Sequence, residues 1–116
     1  MIDFYAQLYD NVDRYRYVWA QSGVPSRDVN AEHKAIVDVR GLGAMVAIEL
    51  FKDGDLAKPD ADLTKRLCAE AAKRGLILLS CGSYANVVRV LVPLTASDAL
   101  IDEGLAIMAD AFKAVA

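Results

Sequence analysis

Apolar residues recur along this chain with two different periods, and the switches between them outline its elements. In residues 2–20, Phe4, Leu8, Val12, Tyr15 and Trp19 fall at helical spacing. Ser22-Gly23 and Pro25 then give a stop, and residues 22–30 read as a linker. Residues 36–39 and 44–51 are rich in β-branched and other apolar side chains and predict two strands. Between them Gly41-Leu42-Gly43 turns or bulges the backbone. Helical spacing returns over 60–74, where Leu63, Leu67, Ala71 and Arg74 share a stripe. Asp60 and Asp62 suit the positive end of that helix, Lys73 and Arg74 its negative end, and Gly75 a left-handed exit. Residues 76–80 and 87–92 predict a second pair of strands around a polar break, residues 80–86. Pro93 ends the last strand. Thr95, with Asp98 three residues on, has capping-box spacing for a final helix carrying Ile101, Leu105, Met108 and Phe112.

This order predicts an α+β fold, a small, mostly antiparallel sheet with helices packed on one face. The 116 residues suggest one domain, large enough to bury a core without disulfides or metals. Residues 1–30 form an aromatic helix and linker, and residues 31–116 the folded unit.

Composition narrows the function. The net charge is −3 and no basic cluster stands free of acidic neighbours, which argues against nucleic acid. No apolar run of about 20 residues spans a membrane, and no secretory leader is visible. Cys68 and Cys81 are neither a disulfide framework nor a close pair, so a cytoplasmic, reducing setting is expected. Apolar residues make up 55% of the chain, a surplus that hints at a surface meant to meet a partner. Four of the five tyrosines and the only tryptophan lie in the first segment. They suit a core-facing stripe, or self-association through Phe4, Tyr15 and Trp19.

Most candidate chemistry has a plainer reading. His33 is the only histidine, so a structural zinc site is not expected, and nothing pairs it with Cys81 as a nucleophile and base. Asp53, Asp55, Asp60 and Asp62 lack the glycine and glutamate of a calcium loop and read as caps and a solvated loop. Gly41 and Gly43 lack the third glycine and the helix of a dinucleotide site. Arg89 is different. It interrupts Val87-Val88-Arg89-Val90-Leu91-Val92, a strand that otherwise suits burial, and shares a face with Val87 and Leu91. Such an arginine either guards an edge strand against aggregation or offers its planar fork to a carboxylate or phosphate. The pattern alone leaves both open.

Taken together, several stretches carry a resemblance. They are DVRGLGAMVAIEL (38–50), KPD (58–60), GLILLSCG (75–82), NVVRVLVPLT (86–95) and IDEGL (101–105). In order and spacing they resemble the C-terminal domain of class III pyridoxal-phosphate aminotransferases, and among these the 4-aminobutyrate aminotransferases. The resemblance covers residues 31–116, and the aromatic helix and linker of residues 1–30 do not clearly match the family. It implies the small C-terminal domain of fold-type I enzymes. It also implies that Arg89, at the family's carboxylate-binding position, holds the carboxylate of 4-aminobutyrate or glutamate, with Ser80, Cys81 and Gly82 in a loop beside the site. Family enzymes are several times longer, and their large domain carries the lysine that binds pyridoxal phosphate. None of Lys34, Lys52, Lys58, Lys65, Lys73 and Lys113 matches that motif. The chain is therefore expected to have no catalytic residue of its own, to bind no cofactor by itself and not to transaminate alone. The competing expectation is a non-catalytic module that self-associates or binds carboxylates weakly.

Overall fold

The computed structural model describes residues 34–42, 45–93 and 95–115. The aromatic segment 2–20 and His33 lie outside the described residues. The elements are β1 (Ile36–Leu42), β2 (Met45–Leu50), α1 (Ala61–Lys73), β3 (Leu79–Cys81), β4 (Val87–Leu91) and α2 (Asp98–Val115). The four strands form one sheet in the order β1-β2-β4-β3, and every neighbouring pair is antiparallel. The α+β architecture read from the sequence is therefore the one observed.

Side-chain alternation sorts the sheet into two faces. Val46, Ile48 and Val88 point toward α1 and α2 and are buried. From the helices come Leu63, Leu67 and Ala71 of α1, and Ile101, Leu105, Met108 and Phe112 of α2. Each large side chain taken fully out of water here contributes roughly 1.5–3 kcal/mol, so this layer dominates the stability. On the opposite face Met45 and Leu91 stand opposite each other, 46% and 58% exposed. No described helix covers that face.

Local chemistry sets the helix ends. The Asp60 side chain accepts from the Leu63 backbone N–H at 2.9 Å and caps α1. The Thr64 hydroxyl donates to the Asp60 carbonyl. At the far end, Leu76 N–H donates to Ala71 O and Gly75 N–H to Ala72 O, the paired bonds of a Schellman exit. Gly75 provides the left-handed residue this needs, at φ 92°.

Four boundaries differ from the sequence reading. The first strand, expected over 36–39 with a turn or bulge at Gly41-Leu42-Gly43, runs on to Leu42, with Gly41 paired to Val46 and Leu42 to Met45. The strand expected over 76–80 pairs only over Leu79–Cys81. The Schellman bonds hold Leu76 against the end of α1, and Leu76 and Leu78 pack on the core before pairing begins. The final helix starts at Asp98, not Thr95, and ahead of it Ala96 N–H donates to Pro93 O. Ser97 is the residue that caps α2, its hydroxyl accepting from Leu100 N–H at 3.2 Å. Ser80 and Cys81 belong to β3, so the connection to β4 begins at Gly82.

Candidate functional site

Arg89 sits in the middle of β4, opposite Ala47 of β2 on one side and Leu79 of β3 on the other. Alternation puts it on the sheet face away from the helices, with Val87 and Leu91. The residue is half-buried, yet its Nε is buried and has no hydrogen-bond partner among the described residues. A buried donor without an acceptor costs about 1–3 kcal/mol, so such groups are rare and each asks for an explanation.

A second arginine on the same face gives the contrast. Arg40 of β1 is the register partner of Ala47 from the other side, so Arg40, Ala47 and Arg89 form one row across three strands. Two strand spacings, roughly 10 Å, separate the backbones of the two arginines. Arg40 bonds the Asp38 carboxylate at 2.6 Å and the Glu49 carboxylate at 2.7 Å. Its hydrogen bonds to Asp38, then to Glu49, hold the guanidinium proton more tightly than usual. Glu49 pairs in register with Val87, two residues along β2 from this row. The carboxylates on this face thus serve Arg40. Sequence reasoning did not single out Arg40. The signal was available in the alternation Asp38-x-Arg40, which places both charges on one strand face.

The connection from β3 to β4 is tightly built. Gly82 has φ 89°, and a Cβ there would lie 2.9 Å from Cγ2 of Val87. Ala85 also has positive φ, at 53°, and donates its N–H to Gly82 O. Asn86 is only 1% exposed. Its Nδ2 donates to the Leu50 carbonyl at 2.9 Å, and Leu50 N–H donates to the Asn86 carbonyl at 2.8 Å. Of the three loop residues expected near Arg89, Cys81 pairs with Val87 and Ser80 with Val88, while Gly82 starts the turn.

Where β3 peels away from β4, a groove of about 450 Å³ opens. Leu76, Leu79, Arg89 and Leu91 line it from the sheet side, and Ile101, Glu103 and Gly104 from α2. The lining is mainly aliphatic, with Arg89 and Glu103 as its charged members.

The sequence profile of the family "Aminotransferase class-III" matches residues 8–112. The chain belongs to the class III aminotransferases. It is 62% identical over 81 residues to the 4-aminobutyrate aminotransferase of Escherichia coli, covering 70% of this chain and 19% of that enzyme. It is 54% identical over 90 residues to the 5-aminovalerate aminotransferase of Pseudomonas aeruginosa, covering 78% of this chain and 21% of the relative. Among solved structures, N-acetylornithine aminotransferase from Stenotrophomonas maltophilia superposes with a TM-score of 0.73 at 26% identity, over 97% of this chain and 27% of that one. A phospholyase from Arthrobacter, solved with phosphoethanolamine, gives a TM-score of 0.81 at 19% identity over 98% of this chain and 25% of that one, and shows the shared fold. The chain thus spans about a fifth of the length of the curated class III aminotransferases it matches.

Class III aminotransferases use pyridoxal phosphate, so the donor set bears on whether this chain suits that group. The cofactor needs an amine to hold its aldehyde carbon and donors for its phosphate. All six lysines are among the described residues, and all are solvent-exposed. Lys58 is paired with Asp55 and Lys73 with Glu70. None lines the groove or shares the row of Arg89. These residues do not fit a cofactor site. No described group of histidine, cysteine and acidic side chains suits a metal, and no described helix is long and apolar enough to cross a membrane.

Proposed function

We propose that this chain is the carboxylate-binding part of an aminotransferase acting on ω-amino acids such as 4-aminobutyrate, with Arg89 as the carboxylate ligand. The observation that carries this reading is the buried, unpartnered Nε of Arg89 on the uncovered face. A substrate carboxylate would supply the missing acceptor. A two-pronged contact from Nε and a terminal nitrogen suits the planar guanidinium better than any single-point anion. Sequence likeness to enzymes named for 4-aminobutyrate and 5-aminovalerate supports this choice of acceptor. Both names describe a carboxylate at one end of a short chain and an amine at the other.

The same reading makes the chain inactive in transamination by itself. The amine that would hold the cofactor is lacking at the site, so the chain can position a substrate but offers nothing to move its amino group. Its open face and short length fit a part that acts against the remainder of a larger enzyme.

The test is an amide NMR titration of the full chain with 4-aminobutyrate and with glutamate, using Arg89→Ala as control. Saturable shifts around residues 80–91 at millimolar ligand, lost in Arg89→Ala, are expected. Identical titrations of the two proteins would overturn the assignment. In parallel, the chain supplied with pyridoxal phosphate and either amino donor should give no transamination product.

A further inference from the structure

Strand β4 is a poor keeper of its own register. Val88, Val90 and Val92 face the helices, while Val87 and Leu91 flank Arg89 on the other face, so both faces are apolar apart from one charge. A slip by one residue would drive Arg89 into the core and is excluded by the burial of its charge. A slip by two is not excluded in this way. It keeps every side chain on its face and moves Arg89 about 7 Å along the sheet. In one direction that slip sets Val88 against Leu50, Val90 against Ile48 and Val92 against Val46, all apolar contacts. It also sets Arg89 directly opposite Glu49, where opposite charges attract. The alternative register would thus satisfy the arginine internally.

We infer that Asn86 holds β4 in the register that keeps Arg89 opposite Ala47 and away from Glu49. Asn86 is the one buried polar side chain at the start of β4, and it bonds the last residue of β2 in both directions, by Nδ2 to Leu50 O and by its carbonyl from Leu50 N–H. The Leu50 carbonyl also accepts from Asp60 N–H at 3.0 Å, and Asp60 is the cap of α1. One carbonyl therefore joins the end of β2, the start of β4 and the start of α1. In the slipped register the Asn86 amide leaves this carbonyl for a position opposite Lys52, and a buried polar group loses its partner. Asn86 is a positioning residue. It acts on Arg89 three residues away through the strand, without touching it. Its effect on register stands on this geometry alone, and its effect on ligand binding rests on the reading of Arg89 given above.

The Leu50–Asn86 bond marks a hydrogen-bonded pair, so Ala47–Arg89 and Met45–Leu91 are pairs of the closer, non-hydrogen-bonded kind. Close pairs give strong Hα–Hα contacts in NMR and can accept a disulfide. The experiment compares the full chain with Asn86→Ala, alone and with Met45→Cys/Leu91→Cys, in a background with Cys68→Ala and Cys81→Ser. The wild type should show the 47–89 contact only. Asn86→Ala should lose it or share it with a 49–89 contact, and its affinity for 4-aminobutyrate should fall about tenfold. Oxidised Met45→Cys/Leu91→Cys should restore both. A single, unchanged 47–89 contact in Asn86→Ala would overturn the inference. If Asn86→Ala does not fold, the pinned variant decides. Recovery of the fold with the 47–89 contact supports a register role, and failure to recover assigns Asn86 to local stability instead. Should the wild type bind no carboxylate, the reading of Arg89 fails while the 47–89 and 49–89 contacts still report on Asn86.

Discussion

Ala47 and Arg89 are register partners at the centre of the uncovered sheet face, and the small residue leaves room beside the long one. Arg40 reaches the same alanine from the opposite strand but turns to Asp38 and Glu49. Two arginines of equal formal charge, about 10 Å apart by strand spacing, are therefore in different chemical states. One is satisfied by its own sheet. The other presents a buried donor that the described residues do not satisfy.

That difference predicts opposite stability effects. Arg89→Met keeps most of the aliphatic stem and removes the unsatisfied donor. We expect it to be neutral or to stabilise the chain by up to about 1 kcal/mol, while abolishing the response to 4-aminobutyrate. Arg40→Met should lower stability slightly, by at most about 1 kcal/mol, because Arg40 and Asp38 are half-exposed and Glu49 is only partly buried. Urea unfolding of the two variants checks the sign. A destabilised Arg89→Met would mean that the guanidinium is satisfied within the chain.

The turn into β4 gives a second pair of opposed effects. Ala85 holds a left-handed backbone, which costs an ordinary residue roughly 1 kcal/mol relative to glycine. Ala85→Gly should raise the urea midpoint modestly, the extra entropy of glycine in the unfolded chain offsetting part of the gain. Gly82→Ala should lower the unfolding free energy by about 1–3 kcal/mol. Both its φ of 89° and the 2.9 Å approach of its Cβ to Val87 oppose a side chain there.

Much of this architecture was legible in the sequence because local rules and global packing agree. The stripe Leu63, Leu67, Ala71 with aspartates ahead and Gly75 behind specifies α1 almost to the residue. The place of Arg89 on an apolar strand marks it from the sequence alone. The shortness of β3 was not legible, since the apolar run 76–80 reads the same whether Leu76 pairs in a sheet or packs on the end of α1. The cap of α2 was missed because Thr95 and Ser97 are both good caps, and the bond from Leu100 N–H to the Ser97 hydroxyl decides between them. The tie from Asn86 to Leu50 joins residues 36 apart in the chain, and no local pattern reports it.

Removing the cap of α1 should be felt more widely than its helix. Asp60 accepts from Leu63 N–H through its side chain, while its backbone N–H donates to Leu50 O, the carbonyl that Asn86 also bonds. Asp60→Ala should cost about 1 kcal/mol, the usual loss of a cap. Asp60→Asn or Asp60→Ser should recover most of it, since either side chain can accept the same bond. Hydrogen exchange should show faster opening of Leu63 and Thr64 in Asp60→Ala, with the Leu50 amide following. Protection unchanged at Leu63 would contradict the capping role.

The loop between β2 and α1 carries the clearest pH signature. Lys58 Nζ lies 2.8 Å from Asp55 Oδ2, and the Ala57 N–H donates to Asp55 Oδ1. The bond from Lys58, then that from Ala57, holds the Asp55 carboxyl below its ordinary range, and the same pair holds the Lys58 ammonium above its own. A carboxyl with a lowered folded value binds fewer protons than in the unfolded chain, so its contribution is complete above the ordinary carboxyl range. It is lost as pH falls through the lowered value. For Lys58 the sign reverses, and its contribution is complete below the ordinary lysine range and fades as pH rises through the raised value. Both groups are exposed, so the effect on overall stability is small and the direct readout is titration of each side chain by NMR. Asp55 should titrate below a free aspartate. Lys58→Met should move its midpoint upward only part of the way, because the Ala57 N–H remains. A full return to the free value would assign the whole depression to Lys58, and no movement would assign it to the backbone.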